Sequence, residues 1–346
     1  MILDDISAPI VLAPMAGGPS TPELTAAVAE AGGFGILAGG YLSADTLAQR
    51  ISDTRQLTSA RFGVNLFAPG TPTPVEQIAP YLDDLAATGA DVGEPRFDDD
   101  DWSAKLDLLS ADPVAVVSFT FGCPSPAEIE RLHGVGSEVW VTVTSTMEAQ
   151  VAVTARADVL IAQGAEAGGH RASFLSGPGD DLADPIGLIA LMQLLRGSVF
   201  SVPLVAAGGI TTGAGLAAAL ASGAAAAQLG TVFLRCPEAG TSAMVRDALT
   251  GARPTALTRA FTGRWARGIR NRFLDEHTAT APAAYPEIHH ATSPLRKAAR
   301  ESGDSEAVNL WAGQAYQLAP ERPAAEVVQR LVRDCRASLE AAAKRI

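Results

Sequence analysis

Residues 163–170 read QGAEAGGH and follow directly on the apolar run Val159–Ala162. Glycine is costly to order and has no side chain to pack. Three glycines in eight residues, with a histidine straight after them, therefore need a reason. One reason is a plain flexible turn. The other is a backbone that must pass close to a ligand, with His170 set beside whatever binds there. Imidazole suits that second role, because its unperturbed pKa of about 6.5 lies near operating pH. Similar glycines end other apolar runs: Gly17-Gly18 after Ala13-Pro14-Met15, Gly208-Gly209 after Val205–Ala207, and Gly230 before Thr231. Three amides, Asn65, Gln163 and Gln228, interrupt or end runs that are otherwise apolar. A buried amide needs partners, since leaving one unpaired costs about 1–3 kcal/mol.

These residues must be placed by regular elements. Eight apolar runs read as strands: 9–14, 33–38, 62–67, 114–119, 139–144, 159–164, 202–208 and 225–230. They are continuously apolar rather than alternating, which suits parallel strands covered on both faces. Ala-rich helical stretches with polar caps separate most of them, for example from Ser20 or Thr21 with Pro22 next, and from Ser145 with Glu148 three residues on. Eight strands alternating with helices over about 230 residues predict a (β/α)8 TIM barrel. A doubly wound sheet would want a nucleotide fingerprint after its first strand, and Ala-Pro-Met-Ala-Gly-Gly lacks that spacing. Residues 1–234 are thus expected to form the barrel, with an excursion at about 68–113 that carries the acidic run Asp98–Asp101. Residues 235–310, rich in arginine between 253 and 272, read as a smaller, mostly helical subdomain, and 311–346 as a segment packing back on the barrel.

Composition narrows the function classes. Of 346 residues 47% are apolar and 18% charged, which describes a folded globular protein with ample core. The net charge of −12 disfavours nucleic acid and anionic membrane as partners. Cys123, Cys236 and Cys335 are few and widely spaced, in no metal-ligand pattern, as in a reduced cytoplasmic protein. Residues 197–234 lack Asp, Glu, Lys and Arg, yet Pro203 and several glycines break the stretch, so it reads as a buried strand–helix–strand unit rather than a membrane span. His277 and the pair His289-His290 fall in irregular text with no carboxylate at metal-motif spacing.

In a barrel the functional face lies at the C-terminal strand ends, and glycines after strands seven and eight are the expected phosphate site. Amides at the inner strand ends could hydrogen-bond a flat heterocycle. A phosphorylated, planar cofactor meets both demands, and flavin mononucleotide (FMN) fits. The alternative, that glycines merely end strands in a tightly turned fold, stays open for any single pair.

The chain resembles the nitronate monooxygenase family, formerly called 2-nitropropane dioxygenases, which are FMN-dependent barrel enzymes. The likeness is carried in order by APMAGG at 13–18, GVNLF at 63–67, QGAEAGGHR at 163–171, AAGGI at 206–210, QLGTVFL at 228–234, FTGRWARGIRN at 261–271 and WAGQ at 311–314. It implies that Ala13, Pro14 and Met15 face the flavin ring, and that Asn65 and Gln163 hold the ring and ribityl chain. It further implies that Gly168, Gly169, Gly208, Gly209, Gln228, Leu229, Gly230 and Thr231 take the cofactor and its phosphate, with His170 as the catalytic histidine. The implied reaction oxidises a small alkyl nitronate with O2 to a carbonyl compound and nitrite, without nicotinamide or metal. Relatives on the same fold that reduce FMN with NAD(P)H, acting on enoyl thioesters or quinones, are the alternative, and a non-catalytic flavin-binding protein is a second. Monomer and homodimer are equally open.

Overall fold

The computed structural model describes residues 1–175, 185–198 and 202–345. Nine strands precede residue 230: β1 (Ile10–Leu12), β2 (Gly35–Ala38), β3 (Phe62–Phe67), β4 (Val116–Thr120), β5 (Glu138–Val143), β6 (Val159–Gln163), β7 (Gly169–His170), β8 (Leu204–Ala207) and β9 (Ala226–Leu229). All except β7 form one parallel sheet in the order β1-β9-β8-β6-β5-β4-β3-β2. A parallel bridge between Val11 and Phe34 joins its first and last strands and closes a (β/α)8 barrel. The eight strands foreseen from the sequence are these eight.

The barrel explains why the strands read as continuously apolar. Successive side chains alternate between faces. Ile10 and Leu12 pack outward under the helices, whereas Val11, Phe34, Val116, Trp140, Val159, Ile161 and Val205 fill the interior. A short N-terminal helix, Ile2–Asp5, plugs the lower end: Ile2 joins the interior cluster and its N–H donates to Glu138 Oε1 at 2.7 Å. The outer helices begin where side-chain caps allow. Thr21, Ser145 and Thr212 each accept from a backbone N–H two or three residues into their helices. The charge-free stretch around 202–229 is β8, helix Gly213–Ala221 and β9. Among the described residues no helix is long and apolar enough to cross a membrane.

The excursion between β3 and β4 contains helices Val75–Ala87 and Trp102–Ala111. The first of these packs away from the barrel. Its Ile78, Tyr81 and Leu85 join Phe261, Phe273, Leu274 and Ile288 in a separate cluster, and Tyr81 Oη donates to Ala260 O at 2.7 Å. The arginine-rich region holds a hairpin besides its helices, β10 (Thr255–Thr258) and β11 (Ala266–Ile269). Its strands lack an apolar run, which is why the sequence pattern shows only helices there. β11 also pairs antiparallel with β7, so that His170 stands opposite Ala266 and Gly169 opposite Arg267. The excursion, the hairpin, residues 272–311 and the loops after β2, β4 and β6 together form a cap over the C-terminal end of the barrel.

Candidate active site

Strand alternation builds the floor of the site. Two residues beyond the interior positions Val11, Trp140, Ile161 and Ala226 come Ala13, Thr142, Gln163 and Gln228, and the apolar fill gives way to a polar layer. Asn65 lies in the same layer, where its Nδ2 donates to Ser118 Oγ and Thr120 Oγ1, each at 3.0 Å. Above this layer a cavity of about 670 Å³ opens, within the range of cofactor and substrate sites. Ala13, Pro14, Met15, Asn65, Gln163, Gly168, Gly169, His170, Gly208, Gly209, Gln228, Leu229, Gly230 and Thr231 all line it. Every site residue expected from the sequence is therefore brought to one wall or another of a single cavity.

Their local duties differ from one another. Gly169, Gly208 and Gly209 have φ of +74°, +124° and +69°, the region where a Cβ is strained. At Gly209 a Cβ would also come within 2.9 Å of Glu166 Cβ. Gly168 has another cause: a Cβ there would collide with Gly313 N and Ala312, so this glycine makes room for the chain at 311–314 rather than for a ligand. Gly313 N donates to Thr231 Oγ1 at 3.0 Å, and Gln314 N to Glu166 O at 3.0 Å. The Gln163 amide is occupied at both ends. Its Nε2 donates to His170 O, and its Oε1 accepts from Ala172 N and Arg171 Nη1. Gln163 thus shapes the loop that presents His170, and Arg171 braces it through the carbonyl of Gly164 at 2.8 Å. Glu166 receives Leu188 N at the start of helix Leu188–Gly197.

His170 stands at the edge of the cavity in an aromatic frame. The rings of Phe121, Tyr285 and Trp311 have centroids 5.6, 5.7 and 5.6 Å from its own. Its Nε2 lies 3.0 Å from Thr262 Oγ1. Burial pushes the imidazole pKa down to about 3, and the nearby guanidinium groups of Arg264 and Arg296 add to the shift. The ring is neutral at any ordinary pH.

The cap supplies further residues, some of which, Arg264 and His289 among them, the sequence showed without giving them a place in the site. Arg264 sits 4.1 Å from the Phe121 ring centroid and donates to Ser173 O at 2.8 Å. Arg296 is buried and donates to His289 O at 2.6 Å. Burial lowers both to about 10, which leaves them charged at neutral pH. Among the described residues neither forms a salt bridge, whereas Arg253, Arg270 and Arg272 pair with Glu306, Asp275 and Asp304. His289, placed by the sequence in irregular text, belongs to helix Glu287–Ala291 and lines the cavity, stacked on Tyr41 with centroids 4.4 Å apart. Pro282, Pro286 and Pro294 around it conceal a helix of five residues. The acidic run of the excursion fastens this wall: Asp100 Oδ1 accepts from Tyr41 N at 2.8 Å, and Asp98 pairs with His290 at 2.6 Å. Tyr41 (65°) and Phe121 (74°) also carry positive φ, and such strain in bulky residues clusters at functional sites.

Two polar atoms of the cavity wall test whether a cofactor fits. Gln228 Oε1 and Thr241 Oγ1 are buried and have no hydrogen-bond partner among the described residues. An acceptor and a hydroxyl left like this cost about 1–3 kcal/mol each unless a ligand engages them. A planar group with an imide N–H and a polar, phosphorylated tail matches both, with small residues along the wall between them. The residues present fit a flavin.

Fold and site together define a (β/α)8 barrel with a ligand-sized cavity between the strand ends and a cap. The family described as nitronate monooxygenase matches residues 2–334. A probable nitronate monooxygenase of Staphylococcus aureus (strain Newman) is 37% identical over 339 residues, covering 94% of each chain. Among solved structures, nitroalkane oxidase from Streptomyces ansochromogenes superposes with a TM-score of 0.94 at 47% identity, over 98% of this chain and 99% of that one. FabK from Thermotoga maritima gives 0.73 at 28% identity, over 100% and 98%. The chain belongs to the nitronate monooxygenase family and is a flavin-dependent oxidoreductase.

Proposed function

We propose that the protein binds FMN and uses it to oxidise small alkyl nitronates with O2, releasing a carbonyl compound and nitrite. The observation that carries this reading is electrostatic. A neutral His170 faces a cavity lined by the buried, charged Arg296, with the half-buried Arg264 close by over the Phe121 ring, and neither arginine has a carboxylate partner among the described residues. In a chain of net charge −12, such a positive enclave favours an anion, and a nitronate is the anionic form of a nitroalkane.

The cofactor would lie along Ala13, Pro14 and Met15, with Gln228 Oε1 accepting from its imide N–H. The backbone at Gly208, Gly209 and Gly230, with the hydroxyls of Thr231 and Thr241, would take its phosphorylated end. FMN, when bound, supplies the electron acceptor. The protein's own residues orient the nitronate between His170 and the aromatic frame, offset its charge, and keep bulk water out. His170 is the residue proposed to touch substrate. Asn65, Gln163 and Gly168 then serve as supports of the floor and loop.

The test is oxygen uptake by FMN-loaded protein given propionate-3-nitronate alone, or NADH or NADPH alone. Rapid uptake with nitronate, matched by nitrite release and needing no nicotinamide, is expected. Slow nitronate turnover with fast flavin reduction by NAD(P)H would overturn the proposal in favour of a reductase.

A further inference from the structure

A neutral imidazole carries one ring proton, and the nitrogen that holds it decides what the ring can do. Two contacts bear on that choice in His170. Nε2 lies 3.0 Å from Thr262 Oγ1, and the same Oγ1 lies 3.2 Å from the carbonyl oxygen of Arg264. A carbonyl oxygen only accepts, and a threonine hydroxyl has a single proton to give. Both contacts are hydrogen bonds at once in one arrangement: Thr262 donates to Arg264 O and accepts from Nε2–H. The opposite tautomer would turn the hydroxyl proton towards Nε2 and set two lone pairs against each other at Arg264 O.

We propose that Thr262 is a positioning residue that holds His170 as its Nε2–H tautomer, so that Nδ1 meets the ligand as a hydrogen-bond acceptor. This rests on the reading of His170 as the ring beside the substrate.

The surroundings keep both partners in place. Thr262 is 2% exposed, and its N–H donates to Arg259 O at 3.1 Å in a turn that Gly263 completes at φ +77°. His170 is held by its pairing with Ala266 and by Gln163 Nε2 on its carbonyl. The three aromatic rings around the imidazole oppose its rotation. Among the described residues no hydrogen-bond donor reaches Nδ1. An acceptor at that position can take a proton from the carbon of a neutral nitroalkane, the conjugate acid of the nitronate, and leaves the nitronate oxygens to the arginine side chains. The hydroxyl of Thr262, which has no need to touch substrate, thereby selects between the two roles open to the histidine.

The experiment is a two-bond ¹H–¹⁵N correlation spectrum of the histidine rings in FMN-loaded protein, with the His170 signals identified by their loss in His170→Asn. Wild type and Thr262→Ser, which keeps the hydroxyl, are expected to show a protonated Nε2 and a bare Nδ1. In Thr262→Val the ring should shift to Nδ1–H or to a mixture, with kcat on a neutral nitroalkane reduced roughly tenfold or more and kcat on the preformed nitronate little changed. An Nδ1–H ring in the wild type overturns the assignment without any variant having to fold. An unaltered tautomer in Thr262→Val overturns the part given to the hydroxyl. Full turnover in His170→Asn would instead strike at the functional reading of His170, and the spectra keep the two failures apart.

Discussion

The two walls of the cavity are made of different material. The barrel rim is built from backbone and small residues: Ala13, Gly208, Gly209, Gly230 and the amide of Gln228. The cap is built from large side chains: Tyr41, Phe121, His170, His289, Arg296 and Trp311. A backbone wall offers fixed N–H and C=O groups and close approach, which suits a large, invariant ligand such as a cofactor. A side-chain wall offers charge, titration and shape, which suits a small substrate. On the proposed function the contrast would assign binding and chemistry to separate parts of the fold, and it can be broken from either side.

The largest effect is expected on the cap. His170→Asn removes the ring but keeps a polar group of similar reach, so flavin content should stay at the wild-type level while kcat/KM on a neutral nitroalkane, whose carbon must lose a proton, falls by about 10²–10⁴. Flavin absorbance and oxygen uptake on the same sample check both halves. A variant that lost its flavin along with its activity would erase the division of labour between the walls.

The converse change lies on the rim. Gly209→Val forces a β-branched residue into φ +69° and drives its Cβ towards Glu166. Strain of this kind costs about 1–3 kcal/mol, so FMN retention should fall by roughly tenfold or more. Equilibrium dialysis of FMN, with circular dichroism as the control for folding, measures it. Unaltered FMN affinity in a folded variant would mean that this glycine serves the loop alone, as Gly168 does.

The same contrast explains how much was legible beforehand. Glycine at a strand end is a visible mark, and the eight apolar runs place each such mark at one end of a barrel, so the rim could be read without coordinates. The cap could not. Apart from His170, which the glycine-rich loop marked, its walls come from residues 41, 121, 262, 289 and 296, which no local period links, and β10 and β11 carry arginine and threonine where a strand pattern needs apolar residues. His289 looked incidental because its stacking partner, Tyr41, lies in a distant loop held by Asp100. The amides differ in a further respect. Sequence reasoning marked Asn65, Gln163 and Gln228 alike as interruptions of apolar runs, yet only the coordinates separate Gln163, spent on its own loop, from Gln228, whose Oε1 has no protein partner among the described residues.

A third prediction concerns pH and again separates the walls. Burial holds His170 at about 3 and His289 at about 2, both below the roughly 6.5 of a free imidazole. The unfolded chain therefore binds protons that the folded chain refuses once pH drops below about 6.5, and stability falls as pH falls towards the folded values. The Tm should decline between pH 7 and 4, and His289→Gln should make that decline shallower. An equal slope in wild type and variant would show that His289 is open to water in solution.

The smallest effect, and the most discriminating, belongs to Gln228. Its Oε1 is buried without a partner among the described residues, so the cofactor-free protein carries the cost of that acceptor. Gln228→Leu removes the cost and also removes the bond proposed for the flavin imide. The two consequences have opposite signs: the cofactor-free variant should melt no lower than the wild type, while its FMN affinity should fall by about five- to thirtyfold, equivalent to about 1–2 kcal/mol. Loss of both stability and affinity would mean that Gln228 packs the barrel floor rather than reads the cofactor. Loss of neither would place the ligand elsewhere in the cavity and move the anion-favouring cap, rather than the rim, to the centre of recognition.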